Sequence, residues 1–255
     1  MPAARWTLRP IASDLVAQYE REGWWGDDSL GAVMARSLRA APDLPVHVHS
    51  RTHERHGTFA DIDVEARRLI AVLQAEGIPP GSGVAFQLPN WREAVGSFAA
   101  LTMGGYVLVP IVPIYGPKEV GFILGEAGVD AYISPSSFGH VDYIEIIDAG
   151  PATVRLHLVV GDGADRPPPE GVRRLGWAAV DAAAPVTDLP AVAASDVAVL
   201  AYTSGTTSYP KGVIHSHQTL LADIDQMSSW ITPGRPNLLG SPVTHATGML
   251  GAVLS

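Results

Sequence analysis

The segment that decides the fold is "GVAFQLPNWREAVGSFAALTMGGYVLVPI", residues 83–111. It opens with an apolar run at 83–89 and closes with another at 106–111, and both have the length of a buried strand. The stretch between them, from Trp91 to Met103, has the pattern of a helix. Because a helix separates two continuous apolar strands, the segment predicts a parallel βαβ unit that is buried on both faces of its sheet.

The same alternation of strands and helices continues on both sides of this segment. Further helices are predicted at Ile11 to Glu22, Ser29 to Ala40, Thr58 to Glu76, Lys118 to Glu126 and Val141 to Ile147. Further strands are predicted at "PVHVHS" (45–50), "DAYIS" (130–134), "RLHLVV" (155–160) and "VAVLAY" (197–202). The predicted fold class is therefore α/β, with layered parallel or mixed β-sheets and flanking helices.

One stretch interrupts the alternation. The segment "GDGADRPPPEG" (161–171) contains three consecutive prolines, which lack backbone donors and fix the chain direction, so it is predicted to be a surface loop or linker. An Ala-rich segment follows, and a second structural unit is predicted to begin near Asp196. Residues 1–195 would then form a first α/β subdomain, and residues 196–255 the start of a second one.

Composition and charge exclude several classes of protein. With 47% hydrophobic and 17% charged residues, the chain is not disordered. A net charge of -9 without clustered Lys and Arg argues against a nucleic-acid partner, and the absence of cysteine excludes disulfides and thiolate metal sites. The N-terminus lacks the apolar core of a secretory signal, and prolines and glycines break the apolar stretch from Phe98 to Tyr115. We therefore expect a cytoplasmic protein without an integral membrane segment.

The loop after the last predicted strand carries the strongest chemical signal. In "AVLAYTSGTTSYPKGV" (198–213), the nine residues 203–211 surround a glycine and include possible phosphate donors, a composition that suits phosphate; these donors are Thr203, Ser204, Thr206, Thr207 and Lys211. The loop is not a Walker motif, because Pro210 and Gly212 occupy the positions of its second glycine and its magnesium-binding hydroxyl. A solvated Ser/Thr turn is the alternative. The position of the loop after a strand of an α/β sheet favours phosphate binding over this alternative.

The loop and a later segment together resemble a known family. "YTSGTTSYPKGVIHSH" (202–217) resembles the T-S-G-T-T-G-x-P-K-G signature of the AMP-forming acyl-CoA synthetase, adenylation-domain and luciferase superfamily, and departs from it at Ser208, where the family has Gly. "SPVTHATG" (241–248) resembles the family's P-x-x-H-x-x-G motif, with Pro242, His245 and Gly248 in place. Upstream segments also resemble the family's N-terminal layout, so the resemblance covers nearly the whole chain.

The resemblance implies a reaction and a set of site residues. Enzymes of this family join a carboxylate to ATP, release pyrophosphate and pass the acyl-adenylate to a thiol, usually coenzyme A. ATP, Mg²⁺ and coenzyme A are therefore the implied cofactors and co-substrates, and His245 would lie near the reacting carboxylate. The residues implied to contact the ATP phosphates are Thr203, Ser204, Gly205, Thr206, Thr207 and Lys211. If the family's Gly has a positive φ, Ser208 would cost on the order of 1 kcal/mol.

The end of the sequence suggests an incomplete enzyme. "TGMLGAVLS" (247–255) stops within an apolar pattern without a cap or turn signal, so we expect the chain to be truncated. The family's adenine-binding loop, magnesium-binding acidic residue, ribose-binding carboxylate and catalytic lysine all follow the region present here, and no metal ligand is assigned. We therefore predict that these residues alone form no acyl-adenylate. An exposed apolar face, and with it a homo-oligomer, would follow from the truncation.

Three functions stay open at this point. The leading one is an acyl-CoA synthetase for a fatty, alicyclic or aromatic acid. The alternatives are an adenylation domain that loads a carrier protein and a non-catalytic nucleotide-binding remnant. Sequence downstream of Ser255 would separate all three.

Histidines outside these motifs invite other interpretations. The segment "HVHSRTHERH" (47–56) brings together four histidines, with His47 and His49 on a strand and His53 and His56 on the following turn; a solvated edge strand and loop is favoured over a metal site. For His215 and His217, a role in capping or packing is favoured over acid–base chemistry. In the same region, Ser216 is predicted to cap a helix from Gln218 to Trp230.

Overall fold

A computed structural model describes residues 6–51, 53–149, 153–203, 209–229, 231–232 and 235–253. The helices of this part of the chain are α1 (Ser13–Arg21), α2 (Leu30–Ala40), α3 (Phe59–Ala75), α4 (Arg92–Met103), α5 (Pro117–Ala127), α6 (Tyr143–Asp148), α7 (Ala178–Ala182), α8 (His217–Ser228) and α9 (Ala246–Val253). The strands are β1 (Pro45–Val48), β2 (Arg55–Thr58), β3 (Gly83–Phe86), β4 (Val107–Pro110), β5 (Ala131–Pro135), β6 (Ser137–Phe138), β7 (Val141–Asp142), β8 (Leu156–Val160), β9 (Arg173–Gly176), β10 (Val197–Thr203) and β11 (Lys211–Ser216).

A seven-stranded sheet organises the molecule. Its strand order is β11-β10-β4-β3-β5-β8-β9, and all neighbouring pairs are parallel except β10 and β11. In the centre, Leu108 of β4 lies between Val84 of β3 and Val199 of β10. The predicted α/β class, with its βαβ unit of β3, α4 and β4, is confirmed.

The sheet is buried on both faces, as continuous apolar strands require. Val84 and Phe86 of β3 pack into a core that includes α2, α3 and α4, while Ala85 between them packs into a second core that includes α5 and α6. Helix α4 and strand β4 are almost entirely buried, so the apolar stretch from Phe98 to Tyr115 belongs largely to the core. No helix of the described residues has the length and apolarity that crossing a membrane would need.

Helix α3 illustrates how the local sequence sets an element. Thr58 accepts a hydrogen bond from the backbone N–H of Asp61, and Asp61 accepts one from the backbone N–H of Thr58, which makes a capping box. The helix ends before Gly77, whose φ of 73° lies in the left-handed region that glycine tolerates. The predicted helix from Thr58 to Glu76 is confirmed, except that Thr58 and Glu76 themselves are its N-cap and C-cap residues.

Several elements differ from the sequence-based expectation. His56 was predicted to lie on a turn, but it lies in β2, where it is the register partner of His47. The chain therefore folds back as a two-stranded hairpin rather than continuing as a loop. Strands β6, β7, β9 and β11 had no predicted counterpart either, and Val141, predicted to begin a helix, lies in β7 because α6 begins only at Tyr143, after its cap Asp142. The predicted boundary near Asp196 stays a prediction, and β10 pairs directly with β4 across it.

Candidate functional site

The two ends of the signature loop lie side by side. Thr203 ends β10 and Lys211 begins β11, and the two residues are register partners in this antiparallel pair. The Thr203 hydroxyl donates to the Lys211 carbonyl oxygen at 3.5 Å, and both residues are exposed. The structure thus brings together two predicted phosphate contacts. The other four, Ser204, Gly205, Thr206 and Thr207, lie outside the described residues, as does Ser208.

The sheet topology fixes where this loop lies. Since β10, β4 and β3 are mutually parallel, their carboxyl ends meet at one edge of the sheet. Thr203 at the end of β10 and Lys211 at the start of β11 lie at this edge, which we call the carboxyl edge. Ligands of open α/β sheets bind outside the carboxyl ends of the strands. The location therefore suits a binding loop.

Helix α5 contacts two tyrosines that flank residues 203–208, Tyr202 and Tyr209. The ring of Tyr209 stacks on Phe122 with centroids 4.7 Å apart, and the Lys118 ammonium lies 6.0 Å from the centre of the Tyr209 ring. On the strand before the loop, the Tyr202 hydroxyl donates to the Glu126 carboxylate. Sequence reasoning missed these supporting residues on α5, because they precede the loop by about 80 positions and no local pattern links them to it.

The lysines of the chain are concentrated near the signature loop. Lys118 and Lys211 are the only two lysines in a sequence of net charge -9, and both lie close to the signature loop. Within the described residues, Lys211 forms no ion pair. A positive charge without a carboxylate partner on an otherwise acidic molecule attracts an anion.

The second motif forms a tight turn followed by a helix. The backbone N–H of His245 donates to the Pro242 carbonyl at 2.8 Å, and α9 begins at the next residue. A Cβ atom on Gly248 would lie 1.9 Å from the Pro242 carbonyl oxygen. The glycine of the motif is therefore explained, since the first turn of α9 packs directly on the backbone of the preceding turn.

His245 presents one ring nitrogen for chemistry. Its Nδ1 accepts the backbone N–H of Thr247 at 3.4 Å, as a capping residue does at the start of a helix. In the neutral ring the proton then lies on Nε2, because Nδ1 is used as an acceptor. The side chain is exposed. The site therefore offers an N–H donor next to α9.

The structure places the remaining histidines in packing and capping roles. Ser216 caps α8 by accepting the backbone N–H of Thr219 at 3.2 Å, as predicted, although the helix runs only to Ser228. His217 is buried, and its Nδ1 accepts the backbone N–H of Leu30 at the start of α2, 3.2 Å away. Burial lowers the pKa of His217 to about 4. His215 is half-buried in β11, opposite Val199.

The histidines of the histidine-rich hairpin contact different partners. His47 Nδ1 and His56 Nδ1 approach to 2.5 Å across the strand pair, and His53 instead stacks on Trp91 with ring centroids 3.5 Å apart. Among the described residues, no three His, Cys, Asp or Glu side chains are grouped as metal ligands. The stack also places Trp91 in a packing role, buried below the hairpin.

Fold and site together define the class: an α/β protein in which Thr203 and Lys211, the described ends of a glycine- and hydroxyl-rich sequence, pair at the carboxyl edge of a mostly parallel sheet. Residues 34–255 match the model of the family described as AMP-binding enzyme. The chain belongs to this family.

Two curated relatives and one solved structure illustrate the similarity. The medium-chain fatty-acid–CoA ligase of Escherichia coli is 29% identical over 93% of this chain and 42% of its own length. The 4-coumarate–CoA ligase CCL1 of Humulus lupulus is 31% identical over 77% of this chain and 34% of its own length. The structure of Mycobacterium smegmatis MbtA superposes with a TM-score of 0.81 and 26% identity, over 97% of this chain and 46% of that one. The chain spans less than half the length of these proteins.

Proposed function

We propose that this chain is part of an AMP-forming acid–thiol ligase, which activates a carboxylic acid as an acyl-adenylate and transfers it to coenzyme A. The observation that carries the proposal is the pairing of Thr203 with Lys211 at the carboxyl edge, at the two ends of the family signature. In this proposal the hairpin loop is the phosphate site, and the turn at His245 is the acyl side of the same edge.

The chemistry proposed for the loop is electrostatic. When the carboxylate attacks the α-phosphorus of ATP, negative charge accumulates on the departing pyrophosphate. The Lys211 ammonium and the hydroxyls of the loop, Thr203 among them, would offset this charge where it develops. A magnesium ion on the phosphates would supply further positive charge. The loop's donor chemistry fits phosphate oxygens but contains no carboxylate for the metal, so the metal would be held mainly through the nucleotide.

The role proposed for His245 follows from its ring geometry. With Nδ1 accepting from Thr247, the Nε2–H is the donor that the ring offers to a ligand. A hydrogen bond from Nε2–H to one oxygen of the substrate carboxylate would orient the group and leave the other oxygen free to attack. The proposed acid is fatty, alicyclic or aromatic. Support for this range, and for coenzyme A as the acceptor, comes from relatives that are fatty-acid and coumarate CoA ligases.

Removing the Lys211 charge should weaken phosphate binding. A hydrogen bond to a charged group contributes about 1.5–3 kcal/mol, so Lys211→Ala should raise the Kd for Mg²⁺–pyrophosphate and Mg²⁺–ATP roughly tenfold or more. Isothermal titration calorimetry measures both constants.

A second variant distinguishes an effect of the site on the Kd from an effect of the overall charge. Arg9→Ala removes the same charge from an exposed residue three positions after Trp6, and Trp6 packs against Gly83 at the amino end of β3, opposite the carboxyl edge. Its Kd values should match those of the unmodified chain. Equal Kd values for Lys211→Ala and the unmodified chain would contradict the proposed phosphate site.

Turnover by these 255 residues alone is expected to be absent. The family motifs for adenine, ribose and magnesium and the catalytic lysine are not among them, so pyrophosphate release with ATP, Mg²⁺ and a panel of carboxylic acids should stay at background. A coupled pyrophosphate assay measures it, with the E. coli medium-chain ligase as the active control. Release above background would contradict this expectation, and thioester formation on adding coenzyme A would then distinguish a CoA ligase from a carrier-loading domain.

A further inference from the structure

Asn90 occupies a special place at the carboxyl edge. It follows the buried segment of β3 and precedes α4, and its side chain is half-buried. An asparagine in this position commonly caps the following helix. Here the N-cap of α4 is Trp91, whose side chain makes no capping hydrogen bond. The Asn90 amide is therefore available for another contact.

That contact is with a segment 151 to 153 residues further along the chain. The Asn90 Nδ2 group donates to the Ser241 carbonyl oxygen at 2.8 Å, and the Asn90 Oδ1 atom accepts the backbone N–H of Val243 at 2.9 Å. One amide thus satisfies a carbonyl and an N–H that lie two residues apart, as a neighbouring strand would. Both contacts agree on the orientation of the amide, because exchanging its oxygen and nitrogen would break both.

The segment that Asn90 holds, Ser241 to Val243, leads directly to His245. Val243 and Thr244 are almost fully buried, whereas His245 is exposed. On the far side of the histidine, Gly248 lets α9 pack on the Pro242 carbonyl. The turn is therefore held by Asn90 before the histidine and by α9 after it, which leaves the backbone at His245 little freedom.

We infer that Asn90 is a positioning residue for His245. By fixing the backbone from Ser241 to Val243, it sets where α9 begins, and with it the contact between the Thr247 N–H and the histidine Nδ1 that keeps the ring proton on Nε2. The link to a bound carboxylate rests on the proposed function of this edge. Asn90 thereby links the end of β3 to the turn before His245, a link that the family motif alone does not reveal.

The test uses two variants of the 255-residue chain and two readouts that need no catalysis. Asn90→Ala removes both hydrogen bonds, and Asn90→Asp keeps an acceptor for the Val243 N–H while losing the donor to Ser241. Amide exchange at Val243 should become at least tenfold faster in Asn90→Ala and accelerate less in Asn90→Asp, which keeps the acceptor for this N–H but turns a carboxylate oxygen toward the Ser241 carbonyl. Exchange at Leu158, in the distant strand β8, should not change in either variant and so reports on the overall fold.

The second readout is the ring of His245. ¹⁵N NMR should show the Nε2–H tautomer in the unmodified chain and a mixture of tautomers in Asn90→Ala. Titration with octanoate and benzoate should shift the ring signals, with at least fivefold weaker binding in Asn90→Ala. Unchanged exchange at Val243 together with an unchanged tautomer would overturn the inference. If both change as expected but neither acid perturbs the unmodified ring, the positioning role is supported and the proposed acyl site is overturned.

Discussion

Gly31→Ala should be among the most destabilising single-methyl additions in this chain. Gly31 lies in the first turn of α2, where that helix packs on α4, and a Cβ atom there would lie 2.1 Å from the Thr102 carbonyl oxygen. The obstructing atoms are backbone of a buried helix, so no side chain can rotate out of the way. Overpacking commonly costs about 1–3 kcal/mol, and we expect about 3 kcal/mol here because two helices must separate.

Urea unfolding monitored by circular dichroism measures this loss, and a second glycine provides a matched control. Gly121 lies inside α5, and a Cβ atom there would meet no atom within 4 Å. Gly121→Ala should therefore stabilise the chain by about 0.5–1 kcal/mol, because alanine favours the helix. The same chemical change thus has opposite expected signs at two helical sites. A Gly31→Ala variant as stable as the unmodified chain would show that α2 and α4 are not packed as described.

Much of the fold was predictable because its strands are buried on both faces. A strand with helices above and below it needs apolar residues at every position, and such runs are visible without knowing their partners, as at 83–89 and 106–111. The order of strands was not predictable in the same way. Val199 lies beside Leu108, 91 positions away, and only tertiary packing decides that β10 joins this side of the sheet.

Within the seven-stranded sheet, the two strands that sequence reasoning missed, β9 and β11, lie at its two ends. β11 is exposed over half of its length, and β9 places the buried Arg174 in a strand. Neither segment shows the apolar run that marks a central strand. In β9, the arginine is accommodated by an ion pair with Asp148 at 2.5 Å and by contacts to His157 and to two backbone carbonyls, none of which is local in sequence.

The residues of the candidate site likewise fall into two groups, those that a local motif identifies and those that only the fold identifies. Thr203 and Lys211 are both named by one local signature of the sequence, and the structure pairs them, although their contact with phosphate stays a prediction. Asn90 gave no such signal, because an asparagine after a strand is ordinary turn chemistry. Its partners Ser241 and Val243 are identified only once the chain has folded. Local motifs thus reveal the groups that would contact a ligand, whereas the groups that hold them in place depend on the topology.

A buried polar network around His157 should make the stability of this chain depend on pH. His157 is fully buried in β8, its Nε2 lies 2.9 Å from the Ser134 hydroxyl, and its Nδ1 accepts the Arg174 Nε–H at 3.3 Å. The ring stacks on Tyr132, while Asp148 pairs with the far side of Arg174. Burial, and then the neighbouring Arg174 charge, lower the pKa of His157 to about 3.

The sign of the effect follows from the two pKa values. The ring stays neutral in the folded chain but binds a proton near its ordinary pKa of 6.5 when unfolded, so the stabilising contribution is complete above pH 6.5 and is lost as pH falls toward 3. Buried His217 acts in the same direction. Glu65 acts in the opposite direction between pH 4.5 and 7, because burial raises its pKa to about 7. The profile of the unmodified chain is therefore a sum of opposing contributions.

Comparison with a variant isolates the contribution of His157. His157→Gln keeps an N–H donor for Ser134 but does not titrate, so the unmodified chain should lose about 2 kcal/mol more stability than this variant between pH 7 and pH 5. Urea unfolding at each pH measures the difference, and the opposing Glu65 contribution cancels because both proteins contain it. His140→Gln, at an exposed position, should follow the unmodified profile. Parallel profiles for His157→Gln and the unmodified chain would mean that His157 is not held neutral in the core.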